Sequence, residues 1–391
     1  MQTSMRGSVS DLSADLSADL SADLSADLSA DLSADLSADL TSGSVDSSLS
    51  NAVSEDNWIR LGSSDDAAAA TPAALSLDNR GLAYADGFFT TMGVIDGQIL
   101  WSKYHLQRLD SHADALQLAL DSQELLAILQ EHAKQLQQGM LKLVVTRAAQ
   151  GIRGYGYSPN AAGSACEIWL KASAMTVATA ETLRLADGCF IPLQPSSAAI
   201  CLTSQLACLP LPLAGLKSLN RLDNVLASGE LQRIKAQASS PNSVQADSLE
   251  NTHSQTSAES TISEGLLRDM SGHWVEGTMS NVFYQLSELP HSPGSNNTSA
   301  INSNNANGNK YNADYLGTGQ WYTPSMAQSG VAGVMRQVLI DELSTSKNPV
   351  IIRSLSDEDL PRITQLFFCN ALRGIMPMNS LTLLSGEVVG F

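Results

Sequence analysis

Leu213-Ala-Gly-Leu-Lys217-Ser-Leu-Asn-Arg-Leu222 sets one lysine in a Gly-containing turn, directly ahead of a run with helical spacing. Leu219, Leu222, Leu226 and Ile234 recur at roughly helical intervals, and Ser218 stands where it can cap the N-terminus. A lysine held at such a turn can be desolvated enough to act as an amine nucleophile toward a carbonyl. Alone, the pattern describes an ordinary solvated lysine, since most charged residues sit on wet faces. No other of the eight lysines lies in a comparable turn-to-helix setting.

Four further segments stand around it in a definite order. Upstream are Asn79-Arg-Gly-Leu-Ala-Tyr-Ala-Asp-Gly87-Phe-Phe-Thr-Thr91 and His105-Leu-Gln-Arg108-Leu109; downstream are Glu276-Gly-Thr-Met-Ser-Asn281-Val-Phe283 and Gly330-Val-Ala-Gly333-Val-Met-Arg336. Taken singly, each has a bland reading. Arg108, on a helix with Leu106 and Leu109, is a surface residue; Glu276 beside Gly277 is a turn carboxylate; Asn281 marks a turn or bulge. Gly330 and Gly333 mark a loop entering a helix. Their joint order is what overturns these readings.

From about Trp58 to the C-terminus, interrupted by two polar insertions, this set resembles the fold-type IV pyridoxal-phosphate enzymes: branched-chain aminotransferases, D-amino-acid aminotransferases and aminodeoxychorismate lyases. The resemblance implies an α/β (α+β) chain. A small N-terminal α/β domain covers residues 57–172, a linker 173–180, and a larger C-terminal barrel-like β domain with helices 181–391. It also implies a homodimer, with the cofactor between the two domains and the neighbouring subunit helping to close the site. Lys217 matches the amine that holds pyridoxal phosphate covalently, and Glu276 the acid partner of the pyridinium nitrogen. Arg108 matches a forked cationic donor to the phosphate. Val334 and Met335, opening a helix after Gly333, would offer backbone N–H groups to it. Asn370-Ala371, just before a Pro-containing turn, falls where the family places a last phosphate contact.

Within the family, Asn220-Arg221-Leu222 and the stretch Thr146-Arg147-Ala-Ala-Gln-Gly-Ile-Arg153-Gly154-Tyr155 resemble the lyases. An Arg-x-His pair typical of D-amino-acid aminotransferases is missing near this loop, and Phe89 stands where they carry an aromatic hydroxyl. Phe367-Phe-Cys-Asn370-Ala-Leu372 followed by Met376-Pro377-Met378 also resembles the lyases. The implied reaction converts 4-amino-4-deoxychorismate to 4-aminobenzoate and pyruvate, for folate biosynthesis. Arg153, Tyr155 and Thr91 are the candidates for its two substrate carboxylates. The alternative is an aminotransferase of the same fold acting on branched-chain or D-amino acids; a third reading is a silent binding protein that kept the fold, against which the intact Lys217, Glu276 and Arg108 argue.

The formal charge of −18 is unevenly placed. Residues 1–56 hold eleven acidic residues and one arginine, so −10 belongs to them and −8 to the other 335. No basic stripe exists, which argues against nucleic-acid binding. The five cysteines, Cys166, Cys189, Cys201, Cys208 and Cys369, form no Cys-x-x-Cys and do not pair with the six histidines at metal spacing. They read as free thiols in a reducing compartment, and no metal is expected. No apolar run reaches about 18 residues and no hydrophobic signal core opens the chain, so the expectation is a cytoplasmic protein with no membrane partner.

Asp11 to Ala38 is seven copies of Asp-Leu-Ser-Ala. One like charge per turn and mediocre helix formers predict a disordered or weakly helical tail over residues 1–56. Lys103 to Gly139 reads as two helices, the second opened by the capping pattern Asp121-Ser-Gln-Glu124 with an apolar face of Leu125, Ile128, Leu129 and Leu136. Strands are expected at Met140–Thr146 and Ala165–Lys171, near Leu183–Leu193 and Leu266–Met270, at Trp274–Val275 and at Val282–Leu286, with helices after Lys217 and Gly333. The stretches 236–262 and 287–319 have the composition of disordered loops.

Overall fold

The computed structural model describes residues 58–62, 74–158, 163–177, 191–238, 261–287, 316, 319–344 and 348–391. The repeat tail, most of both polar insertions, Cys189 and the expected strand at 183–190 lie outside the described residues. Ser54–Phe391 form one compact unit.

Five strands make the first sheet: β1 (Trp58–Leu61), β2 (Gly87–Ile95), β3 (Gln98–Ile99), β4 (Gly139–Arg147) and β5 (Cys166–Ala174), in the order β1-β5-β4-β2-β3. Alternation decides what each face does. Phe88, Met92 and Val94 on β2, with Leu141, Leu143 and Val145 on β4, bury one face against α2 (Ser102–Leu116) and α3 (Ser122–Leu136). Phe89, Thr91, Lys142 and Val144 take the opposite face, where Phe89 pairs with Val144 and Thr91 with Lys142. The short α1 (Arg80–Tyr84) enters this sheet, capped by Asn79, whose side chain accepts the Leu82 N–H. Asp121 caps α3 through the Glu124 N–H at 2.9 Å, as its sequence predicts. Its buried face is Leu125, Leu129 and Ala133; Ile128 is exposed instead of buried, because roughly 3.6 residues per turn put it about 100° round the helix from the middle of that stripe. Ser173 and Ala174 continue β5 and are not yet linker.

The second sheet comprises β6 (Ser197–Leu206), β7 (Ile262–Asp269), β8 (Trp274–Gly277), β9 (Asn281–Leu286), β10 (Tyr322–Thr323), β11 (Ile351–Ile352), β12 (Ile363–Asn370), β13 (Gly374–Thr382) and β14 (Val388–Gly390). Six of them close on themselves, since β9-β12-β13-β6-β7-β8 returns to β9. Closure removes the exposed edges an open sheet would leave. A core of Trp274, Val282, Tyr284, Leu366, Phe368, Met376 and Met378 is built from these strands. Pro377 sits inside β13, opposite Phe367, not in the turn expected there; the turn is Ala371–Arg373.

Two helices accompany this barrel. α4 (Leu222–Ala238) buries Ala227 and Leu231 against the β6 and β7 side, while Leu222, Val225 and Leu226 are exposed. The expected spacing is helical, yet Leu222 and Leu226 mark the outer face. Ser218 does not cap this helix: it forms a bridge with Phe88, four residues before the first helical turn. The helix also takes in Ala236–Ala238, shortening the first insertion. α5 (Val334–Leu343) packs Val334, Met335, Val338 and Leu339 with Phe283, Trp321 and Phe367. Among the described residues, no helix is long and apolar enough to cross a membrane.

Candidate active site

The segment around Lys217 is strapped to β2 of the first sheet and to the loop that leads into α5. The Lys217 carbonyl accepts the Phe89 N–H at 3.0 Å, and the Leu219 N–H donates to the Gly87 carbonyl at 3.1 Å. On the other side Gly215 bridges Val331, and the Ala332 N–H donates to the Gly215 carbonyl at 2.9 Å. The Lys217 N–H donates to His112 Nε2 at 2.9 Å, so α2 holds it from a third direction. His112 must be unprotonated at Nε2 to accept that bond, and burial, with Arg108, Lys217 and Arg221 nearby, pushes its pKa down to about 3. Three elements thus fix the backbone of a single residue.

The amine of Lys217 points over the Phe89 ring, 4.5 Å from its centroid. Burial brings its pKa down to about 7, Arg108 pushing the same way and Glu276 opposing. At neutral pH a large share of this amine is therefore unprotonated and nucleophilic.

Glu276 is the buried acid of the same cluster. Its Oε2 accepts the Val331 N–H at 2.8 Å and Asn281 Nδ2 at 3.4 Å, and its Oε1 accepts Asn224 Nδ2 at 3.4 Å. Burial raises its pKa to about 7 against these donors and against the charges of Arg221 and Lys217. Glycines make room for it. A Cβ on Gly330, whose φ is +74°, would stand 2.9 Å from Glu276 Oε2, and one on Gly333 would collide with Asn281 Oδ1.

Arg108 is buried on α2, and its Nη2 donates to the Ala332 carbonyl at 2.6 Å. That bond points the guanidinium at the entry to α5, leaving other donors of the fork for an anion. Burial lowers its pKa to about 10, and it remains a cation. Val334 and Met335 open α5 behind Gly333, and no side chain caps that terminus. The helix start therefore keeps unused N–H groups next to an arginine. Asn370 Oδ1 accepts the N–H groups of Leu372 and Arg373, so its oxygen serves its own turn. The Ala371 carbonyl accepts Trp101 Nε1, and Ala371 packs in the cluster that contains Val334 and Met335.

The donor set fits pyridoxal phosphate. A buried amine, a buried acid, a cation beside an uncapped helix start, and the unpartnered buried atoms Arg221 Nε and Asn224 Oδ1 are what such a group requires. Thr91 is half-buried on the face that carries Phe89. Arg153 and Tyr155, by contrast, are exposed. Their loop is held by the buried Arg80, which donates to the carbonyls of Gly154, Tyr155 and Gly156 and shares Asp86 with Arg147. Sequence reading passed over Lys142, whose Nζ lies 5.9 Å from the Phe89 centroid, over His112, which accepts the Lys217 N–H, over Asn224, which donates to Glu276, and over the charge that Arg221 places near the amine. The alternation Leu141, Leu143, Val145 already puts Lys142 on the other face of β4; only the β2 register shows what it meets there.

The sequence model of the amino-transferase class IV family matches residues 87–239 and 230–381. Aminodeoxychorismate lyase of Vibrio harveyi is 22% identical over 309 residues, spanning 78% of this chain and 87% of that protein. The crystal structure of 4-amino-4-deoxychorismate lyase from Pseudomonas aeruginosa is similar with a TM-score of 0.55 and 29% identity, covering 82% of this chain and 91% of that one. Branched-chain amino acid aminotransferase of Escherichia coli shares the fold at a TM-score of 0.53 and 17% identity, over 81% of this chain and 84% of that one.

Proposed function

The chain belongs to the amino-transferase class IV family, and from that premise we propose that it is a pyridoxal-phosphate lyase converting 4-amino-4-deoxychorismate to 4-aminobenzoate and pyruvate. The observation that carries the reading is that two lysines share one phenyl ring: the buried amine of Lys217 and the half-buried Lys142 both approach Phe89. A nucleophilic amine with a second cation at its side suits a substrate that brings carboxylates to the reacting carbon. The likeness to two lyases supports the same choice.

When bound, the cofactor supplies the electron sink that makes the proton on the amine-bearing ring carbon acidic. Lys217 would hold the cofactor, and its amine, when free, would take that proton; an amine with a pKa near 7 is matched to the task. Glu276 keeps a proton at the pyridine nitrogen. Arg108, with the N–H groups of Val334 and Met335 and the Asn370-Ala371 turn, holds the phosphate. Lys142 and Thr91 orient substrate carboxylates, and Arg153 and Tyr155 contribute from their loop. Breaking the ether C–O bond leaves the ring aromatic and releases the enolate of pyruvate, which takes up a proton at its methylene carbon to become pyruvate. A lyase of this kind would need no keto-acid acceptor.

The working unit is a homodimer of chains with domains at 57–172 and 181–391, in a reducing cytoplasm and serving folate synthesis. Supporting it, α4 exposes Leu222, Val225 and Leu226 on one face, and the described cysteines are all free. Light scattering checks the dimer. The activity is tested by incubating purified protein with aminodeoxychorismate and pyridoxal phosphate, without 2-oxoglutarate. Pyruvate and 4-aminobenzoate should form in equal amounts. Glutamate formation from branched-chain or D-amino acids with 2-oxoglutarate, and no 4-aminobenzoate, would establish the aminotransferase instead.

A further inference from the structure

The turn Gly277–Ser280 between β8 and β9 closes over a buried carboxylate that the proposed reaction does not use. Glu264 on β7 accepts the Thr278 N–H at 3.0 Å, the Thr278 hydroxyl at 2.6 Å and the Ser280 hydroxyl at 2.6 Å. The Gly265 N–H adds a fourth bond at 3.0 Å. Glu264 is 5% exposed, and all four of these donors are neutral. A buried carboxylate is tolerated when such donors surround it, and here three of the four belong to one turn. The packing is close: a Cβ on Gly277 would stand 2.9 Å from Glu264 Cδ.

The two ends of that turn are site residues. Glu276 stands before it and Asn281 after it, opposite each other in register, and Asn281 Nδ2 reaches Glu276 Oε2. Asn224 ties the turn to the same acid, donating to the Thr278 carbonyl at 3.3 Å as well as to Glu276 Oε1. Moving Thr278 would therefore disturb Glu276 through both its backbone and its amide partners.

We propose that Glu264 is a positioning residue, fixing the Gly277–Ser280 turn and through it the direction in which Glu276 presents its carboxylate to the pyridine nitrogen. This rests on the role given to Glu276 above. In Glu264→Gln the side chain keeps its size and its amide oxygen can keep the three bonds made at Oε1, but an NH2 replaces Oε2, so the Ser280 hydroxyl that donates there must turn and accept.

The test compares the parent holoenzyme with Glu264→Gln, Glu276→Gln and the double variant. It reads kcat and KM, the dissociation constant for pyridoxal phosphate, and the pH midpoint of the bound cofactor's visible absorbance. Glu264→Gln should lower kcat roughly tenfold or more with KM within about twofold of the parent. Its absorbance midpoint should move in the same direction as that of Glu276→Gln. In the double variant it should add less than about twofold, because residues acting through one another are not additive. Should Glu264→Gln not fold, Thr278→Val and Ser280→Ala each remove one hydroxyl donor and should shift the midpoint the same way, by less. Fully additive losses, or an unmoved midpoint in the folded variants, overturn the proposal. A Glu276→Gln protein equal to the parent would overturn the reading of Glu276 and this proposal with it. An impaired Glu276→Gln beside a normal Glu264→Gln overturns the proposal alone.

Discussion

Lys217 Nζ lies 4.5 Å from the centroid of the Phe89 ring, and the backbones of the same two residues are joined by the Phe89 N–H to Lys217 carbonyl bond. One strand edge therefore fixes both the amine and the apolar surface that desolvates it. A hydroxyl on that ring would give the amine a hydrogen-bond partner; phenylalanine gives only a π-face. What keeps the amine reactive is burial, and burial has a measurable cost.

That cost appears in stability. The folded amine has a pKa near 7 against an ordinary 10.5. The unfolded chain thus binds more protons between these values, and stability from this group is complete above about 10.5 and lost as pH falls through 7. Cofactor-free Lys217→Met should accordingly be more stable than the parent at pH 6–7, by on the order of a few kcal/mol, and melt at a higher temperature. The gain should shrink as pH approaches 10. Calorimetry across that range checks it; a variant less stable than the parent at pH 6 would mean the amine is not desolvated.

Glu276→Gln should fold and still take up pyridoxal phosphate, since Gln keeps the shape and one acceptor for the Val331 N–H. Turnover should fall on the order of a thousandfold, because a neutral amide cannot hold the pyridine nitrogen protonated as charge develops. Steady-state kinetics with saturating cofactor provide the measurement. Near-parent kcat would remove Glu276 from that role.

Arg108→Ala should act on affinity. Losing charge-assisted hydrogen bonds costs about 1.5–3 kcal/mol each, or roughly 10- to 100-fold in the cofactor dissociation constant. Arg108→Lys should fall between, as a point charge replaces a fork. Equilibrium dialysis against pyridoxal phosphate distinguishes them, and equal affinity in all three proteins would place the phosphate elsewhere.

Much of this site could be read in the sequence because its pieces are short local motifs. Glu276 sits near the end of β8 and Val334-Met335 at the start of α5, where a few neighbours fix the backbone, while Lys217 stands in a turn and Arg108 in the middle of α2. The barrel was harder. Ser197–Leu206 and Gly374–Thr382 lack clean alternation: the first turns polar at Thr203–Gln205, the second is buried continuously from Gly374 to Met378, and Pro377 disguises it as a turn. Register was not legible at all. That Thr91 meets Lys142 and that Ser218 meets Phe88 follows from long-range pairing, which no local pattern encodes. For the same reason Leu222 and Leu226 could be recognised as helical but not as outward-facing.

Lys142 offers the last prediction, since its role follows from that register and not from any motif. It lies opposite Thr91, beside Phe89, on the sheet face away from the α2 and α3 core. Burial and the neighbouring Lys171 lower its pKa, so a carboxylate partner would relieve a strained cation. Lys142→Met keeps the stem and removes the charge. Losing one ion pair to a substrate carboxylate should raise KM about 10- to 100-fold and change kcat by no more than roughly threefold, the mark of an interaction made equally in ground and transition states. Cofactor affinity should change little, because the phosphate is assigned to Arg108 and the start of α5, neither of which involves Lys142. Rising salt should raise KM in the parent and not in the variant. A large loss of kcat at unchanged KM would instead tie Lys142 to the proton transfer at Lys217, whose amine already senses its charge.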